Sequence, residues 1–547
     1  MFNIGGFIVA TTETGGESRI FLRKASGLIK TAGTFDIFIY NLGLVSVGLG
    51  VISILFYGPA FYPGGDLVIA CFIAGFAMML IALGFIAWSV TLPRSGGIYV
   101  FGSRSLPPFI ALTISLVEIT AWLFYCAIAA YWIIILGIGP MLAMIGYLTG
   151  GEGWLEASAW ITSPVPLFFV GSGILVLSGI ILASGMKFYL FIQKIIFTVA
   201  VLGSLLLIVV LLGGSHEEFV SNFDALMTSI IGVENPYDAI IASGKENGWA
   251  YEGFDWKQTW LVSNWPFLPL IGAAFSIAIG GEIKSVKTAQ TFGMFGAIIC
   301  ALAIWFITIQ LSINVFGYEF LGTSVYNLLE GVGTTTPTDP SITLLAGILT
   351  LSPLVTILVT VGLVAWMWMW IPGMHTFAVR AMVAWSFDRI APAALGKISE
   401  TKHTPIVAIA VAVVITVICM YLFVFTDPFS KIVILIEAAV LAWSIVLGAG
   451  IFFPYTRPEI YQKSPIAKNT LLGLPTMTVY CALGFVASQF YFWTLWLDPS
   501  AAGHDPAQLK IVAGIFVIGV VFFFVMKSIR KAQGIDVNLA FKEIPIE

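Results

Sequence analysis

Five ionisable side chains stand in or at the edge of long apolar runs: Glu118 in ISLVEITAW, Lys194 in FIQKIIF, Glu282 closing PFLPLIGAAFSIAIGGE, His375 in WIPGMHTF and Glu437 in LIEAAV. A charge at the centre of a bilayer costs at least about 2.5–3.5 kcal/mol, so such residues usually bind or move something. Glu118 comes about ten residues into its run, near mid-depth at ~1.5 Å per residue. A carboxyl there can carry a coupling proton; the alternative is a structural carboxyl bonded to a neighbouring helix. Lys194 reads as a partner of Glu118 or as a side chain snorkelling to the interface. His375 reads as a pH-sensitive gate or as a satisfied structural donor. Glu282 reads as a gating group, and Glu437 as a weaker candidate of the same kind as Glu118.

The elements that must position these groups follow from composition. The 547 residues are 59% hydrophobic and 10% charged, against about 25% charged in an ordinary soluble domain. The chain therefore reads as an all-α polytopic membrane protein, and its continuous apolar runs do not alternate as barrel strands would. Twelve runs reach spanning length: 35–57, 66–92, 108–140, 164–184, 187–212, 263–283, 290–316, 341–380, 405–426, 430–453, 472–497 and 508–529. The eighth is too long for one span, so its last turns are expected to project into water. The organisation expected is a cytoplasmic segment 1–34, a first helical repeat 35–212, an extracellular loop 213–262, a second repeat 263–453, two further helices in 454–529 and a cytoplasmic tail 530–547.

Charge sets the orientation, because Lys and Arg collect on the cytoplasmic side. Arg19, Arg23, Lys24, Lys30, Arg94, Arg104, Lys187, Lys284, Lys287, Arg380, Arg389, Lys397, Lys402, Arg457, Lys463, Lys468, Lys527, Arg530, Lys531 and Lys542 fall on the side of both termini. The other side keeps Lys245, Lys257, Lys431 and Lys510. A plasma-membrane protein with both ends in the cytoplasm is the expectation. Loop 213–262 carries Trp249, Tyr251, Phe254, Trp256 and Trp260, which suit either a lid or an interfacial anchor; 317–340, rich in Gly and Thr, reads as a connector. The aromatic run WMWMWIPG at 366–373 reads as a lipid-facing belt and packing surface.

Two runs carry helix breakers at membrane depth. The sixth has Pro266 and Pro269, then Gly272, Ala273 and Ala274. The first has Asn41, Gly43, Ser46, Gly48 and Gly50. Irregular backbone survives in a membrane only inside protein or beside a water-filled cavity, and transporters use paired breaks to grip a solute. Small residues in such helices also serve close packing. The first and sixth runs head two five-helix halves, and an odd count makes the second half inverted.

Four segments resemble those of the amino acid–polyamine–organocation (APC) permeases. LPRSGGIYVFGSRSL at 92–106 is similar to that family's loop after its second helix, with Pro93, Gly96, Gly97 and Tyr99 in register. GAAFSIAIGGEIKSVK at 272–287 matches at Gly272, Glu282 and Lys284, and departs at Ser285 and Val286. RAMVAWSFDRIAP at 380–392 matches at Arg380, Asp388 and Pro392, and HTPIVAI at 403–409 resembles the opening of the ninth helix. The resemblance implies a five-plus-five inverted-repeat fold working by alternating access. It implies that Ser46, Gly48 and Gly50 face the substrate carboxylate and Leu270, Gly272 and Ala273 its amine. Asn41, Ala274, Phe275 and Trp122 complete the expected site, and Ala273 stands where the family often has a bulky aromatic.

The functional expectation is a secondary transporter for amino acids or related small amines, coupled to protons or working as an exchanger. The alternatives are a nutrient sensor on the same fold and a Na⁺-coupled symporter. A membrane-embedded enzyme would need clustered ligands or a nucleophile–base pair at depth. The four histidines are His216, His375, His403 and His504, and the five cysteines do not stand at metal spacing, so neither cofactor nor metal is expected. The expected partners are a small solute, H⁺ or Na⁺, and lipid. No basic stripe suggests nucleic acid.

Overall fold

The computed structural model describes residues 28–426, 429, 434–501, 505–537 and 541. Arg19, Arg23, Lys24, Lys431, His504 and Lys542 lie outside them. The described chain is helical apart from one two-residue hairpin, Thr470–Leu471 with Leu474–Pro475. The helices that matter here are α1 (Thr34–Val45), α2 (Val47–Phe61), α3 (Leu67–Thr91), α4 (Pro108–Trp132), α5 (Pro164–Ala183), α6 (Met186–Gly213), α7 (Asn264–Leu270), α8 (Val286–Phe316), α9 (Pro353–Phe387), α10 (Ile406–Phe425), α11 (Ile434–Thr456), α12 (Thr476–Leu497) and α13 (Pro506–Ala532).

Eleven helical segments of the described residues are long and apolar enough to cross a membrane. The twelfth expected run, 472–497, is α12, which packs between α3 and α11. The chain alternates between two faces. One carries the start of α1 and the end of α13 and is called the near face: Arg530 donates there to the carbonyls of Arg389 and Ala391, both at 2.8 Å. The opposite, far face carries the ends of α2 and α12.

Several details differ from the expectations. The run at 341–380 is a short helix, Ile342–Thr350, then a reversal at Leu351 (φ 46°), then the 35 residues of α9. Its last turns do not enter water; Arg380, Met382, Val383 and Trp385 are buried, because the near-face loops wrap them. Nor is 366–373 a lipid belt: Trp366, Met367, Met369 and Trp370 are buried, and Trp366 donates to Ser204 Oγ at 2.9 Å. Segment 317–340 is more than a connector. It forms the helix Tyr318–Glu330, which packs on α2 and on Pro236–Glu246. Within 213–262, the Trp249 indole is buried and donates to the Pro59 carbonyl of α2 at 2.9 Å, so the loop clamps α2.

Both expected breaks are present. Ser46 separates α1 from α2 in a left-handed conformation, φ 50° and ψ 67°. A non-glycine residue held there costs on the order of 1–3 kcal/mol and persists only where its surroundings dictate it. The second break follows α7. Pro269 sits inside that helix, and the backbone then runs as 3₁₀ turns through Ile271–Ala278 and Gly280–Glu282. Such a run of 3₁₀ geometry is long, since stretches beyond 3–4 residues are uncommon.

Candidate functional site

The two breaks meet. A Cβ added to Gly272 would overlap the Leu44 carbonyl, so only glycine lets the 3₁₀ segment lie against the last turn of α1. Asn41 locks the contact. Its Nδ2 donates to Ser276 Oγ at 3.0 Å, and the Ser276 amide donates back to Asn41 Oδ1 at 3.2 Å. Gln290 of α8 closes the group, its Nε2 donating to the Ser276 carbonyl at 3.1 Å. The Ser46 hydroxyl is buried without a partner, beside the turn that α1 cannot continue. Gly48 and Gly50 have a different role: a Cβ on Gly48 would crowd Trp366, and one on Gly50 would overlap the Trp305 ring. The Trp305 indole reaches past Gly50 to donate to the Val47 carbonyl at 2.8 Å.

Glu118 lies on α4, fully buried. Trp443 of α11 donates to its Oε1 at 2.6 Å, while Oε2 makes no close hydrogen bond among the described residues. One turn further along α4, the Trp122 indole N–H is also buried and lies toward the same carboxyl, short of a close hydrogen bond among the described residues. Trp122 packs on Phe275 of the 3₁₀ segment, 4.8 Å between ring centroids, and on Trp443 at 6.2 Å. Phe377 of α9 completes an aromatic box, 5.1 Å from Phe275 and 6.4 Å from Trp122. The Glu118 carboxyl thus stands beside two tryptophans, Trp443 and Trp122, that belong to a cluster of four packed rings, one of them carried by the interrupted segment. This setting suits a proton on the carboxyl, since a buried carboxyl oxygen without a full hydrogen bond is costly as an anion. Leu270, Ala273 and Ala274 are also buried, at and just after the end of α7.

The other ionisable groups lie elsewhere. Lys194 pairs with Asp36 at 2.6 Å near the start of α1, and its side chain is 48% exposed, away from Glu118. His375 has both ring nitrogens satisfied, Nδ1 with Ser178 Oγ at 3.0 Å and Nε2 with Thr416 Oγ1 at 3.1 Å, so it ties α9 to α5 and α10. Glu437 is buried on α11 with neither carboxyl oxygen partnered among the described residues.

Glu282 belongs to a seal at the near face. Arg380 Nε donates to its Oε1 at 2.7 Å and Nη2 to its Oε2 at 3.1 Å, with both side chains buried. The Glu282 carbonyl accepts the amides of Thr31 and Ala32, which lead into α1. A second bidentate pair stands beside it: Arg104 on Asp388 at 2.6 and 3.1 Å, with the Tyr99 hydroxyl donating to the same carboxylate at 2.8 Å. The Gly96 amide donates to the Ala278 carbonyl at 2.9 Å, joining loop 92–97 to the 3₁₀ segment.

Sequence reasoning missed Trp443, Phe377, Ser276 and Gln290. Trp443 lies 325 residues from Glu118, and no local signal joins them. Asn41 as a hydrogen-bonding residue in an apolar helix did carry a signal, and Ser276 is its partner.

Two interrupted helices packed against each other, inside a bundle of membrane-length helices, are an architecture suited to a permease. The family profile described as "Amino acid permease" matches residues 33–533, and the chain belongs to that family, within the APC superfamily. No curated protein matches the chain. The family is one of transporters of amino acids and amines, which fits a non-enzyme in a lipid environment that takes a small-molecule substrate.

Proposed function

We propose that this protein is a secondary active transporter that moves an amino acid or related small amine by alternating access, with Glu118 carrying the coupling proton. The observation that carries the reading is the fully buried Glu118 carboxyl, held by Trp443 at one oxygen and without a close hydrogen bond among the described residues at the other, beside the ring cluster that Phe275 joins to the interrupted segment. A buried carboxyl with one free oxygen is stable only when protonated or facing a cation. The break at Ser46 and the 3₁₀ turns at 271–278 leave backbone groups beside it for the substrate's own charged ends. Ser46, Leu270, Gly272, Ala273 and Ala274 would supply that grip, with Asn41 holding the two breaks in register and Gly48 and Gly50 seating α2. In this reading the near face is cytoplasmic, by its excess of Lys and Arg, and the membrane is the plasma membrane. The halves 35–212 and 263–453 are the inverted repeats.

The experiment is uptake into proteoliposomes under imposed pH or Na⁺ gradients. Amines and amino acids that raise the melting temperature of the purified protein are the solutes to use. Wild-type uptake is expected to follow the pH gradient. Glu118→Gln, which keeps the shape and the Trp443 hydrogen bond, is expected to fold and to lose at least tenfold of gradient-driven uptake. An unchanged pH profile in Glu118→Gln removes the coupling role. Uptake driven by Na⁺ alone selects the symporter, and binding without accumulation selects a sensor.

A further inference from the structure

A cavity of about 520 Å³ opens on the near face, apart from the aromatic box. Three elements build it: the strand-like segment that leads into α1, the turn between α5 and α6, and residues 401–403 before α10. Its two walls differ in chemistry. One is cationic, with Lys187 on the first turn of α6 and Lys402 on the facing loop. Neither lysine makes an ion pair among the described residues. The other is apolar: Phe188 and Phe191, 45% and 58% exposed, follow Lys187 along a membrane-length helix.

The surrounding charges leave the cationic wall unmatched. Glu282 forms part of the floor, but its carboxylate is taken by Arg380. Lys194, two turns along α6, is taken by Asp36. His403 lines the same rim, and Glu400 is exposed two residues before Lys402. Thr31 lines the cavity too, with its hydroxyl oxygen buried. The site thus offers two ammonium groups at the near-face end of a membrane-length helix, with the exposed rings of Phe188 and Phe191 following on that helix. A free anion would use the cationic wall and leave the rings bare. A phospholipid uses both, since its phosphodiester sits at the interface and its acyl chains run along the helix.

We propose that this cavity takes the headgroup of an anionic phospholipid, with Lys187 and Lys402 holding the phosphate and Phe188 and Phe191 the start of an acyl chain. The lipid bridges the segment entering α1, the start of α6 and the loop before α10. It ties together the elements that must separate for the near face to open, because the Glu282 carbonyl holds Thr31 and Ala32 on the cavity's floor.

The test is native mass spectrometry of the full-length protein released from detergent with phosphatidylglycerol or phosphatidylcholine. Wild type is expected to retain one phosphatidylglycerol preferentially. Lys187→Gln/Lys402→Gln is expected to retain it roughly tenfold less or weaker still, because both groups that attract the anionic headgroup are removed. Lys463→Gln/Lys468→Gln, which removes two exposed lysines elsewhere on the same face, is expected to behave as wild type. Equal retention by the site variant and wild type overturns the proposal, as does an equal loss in the control pair. Inorganic phosphate or glycerophosphoglycerol displacing the lipid at matched concentration would make this a free-anion site and overturn the lipid assignment. Should the double variant fail to fold, Lys402→Gln alone is read in the same way.

Discussion

The two faces of this permease are closed by different chemistry. At the near face the closure is ionic: Glu282 with Arg380, and Arg104 with Asp388 and Tyr99, all buried. At the far face it is aromatic and mostly neutral. Phe267 of α7 stacks on Tyr491 of α12 at 3.5 Å between centroids and 2° between planes, and Tyr57 of α2 stacks on Trp265 at 4.2 Å. A buried anion there, Asp498, is held by neutral donors: the Tyr62 hydroxyl, Asn264 Nδ2 at 2.8 Å, and the amide and hydroxyl of Ser500. A buried ion pair is fixed in direction and must be rehydrated when it separates. Stacked rings can slide while keeping most of their contact area. Under the proposed alternating access, the near face would open in one step and the far face would yield by degrees.

Removing one partner of the near-face pair gives the largest expected effect. Arg380→Met leaves Glu282 buried and unpaired and should lower stability by about 3–5 kcal/mol, whereas Glu282→Gln/Arg380→Met should regain most of that loss. Thermal unfolding in detergent measures both, and a double variant no better than the single one would deny that the pair acts as a unit. On the far face, Asp498→Asn keeps the shape but weakens bonds to a charged acceptor, so a loss of about 1.5–3 kcal/mol is expected by the same measurement. A still smaller change, about 0.5–1.5 kcal/mol, is expected for Tyr491→Phe, which keeps the stack and removes only the hydroxyl's 3.1 Å bond to Ser263. If Tyr491→Phe costs as much as Arg380→Met, the contrast between the faces fails.

The last prediction concerns pH. Asp339, in the far-face segment before Ile342–Thr350, has its carboxyl pushed up to about 6 by burial. The folded protein then binds the proton more tightly than the unfolded chain. The contribution to stability is complete below the ordinary carboxyl range near 4 and is lost as the pH rises through about 6. Asp339→Asn should flatten that stretch of the stability–pH curve, and an unaltered curve would assign the slope to another group.

Much of this was legible from the residue order, for physical reasons that differ by element. Lipid demands about 20 apolar residues per span, so the helices announce themselves. Proline and glycine at depth are costly enough to mark the sixth break, and Ser46 lay among the small residues that marked the first. The near-face seal was half visible. Arg380, Asp388, Tyr99 and Glu282 stood in the segments that resemble the permeases, but their pairing across 98 and 284 residues could not be read. Some of the glycines misled. Gly48 and Gly50 looked like the break itself, yet they make room for Trp366 and Trp305. Periodicity cannot tell a glycine that frees a backbone from one that admits a neighbour's ring. The fate of 366–373 was hidden for a related reason, because three tryptophans at helical spacing look alike whether lipid or protein covers them.

Gly272 resting on the Leu44 carbonyl has a further consequence for how tightly a solute is held. In the proposed site an arriving molecule would push aside peptide chains already in touch, so some of its contact energy would go into wedging them open. Its apparent dissociation constant is raised by the scarcity of the separated conformer. A carrier built this way trades firm capture for prompt release at the opposite side.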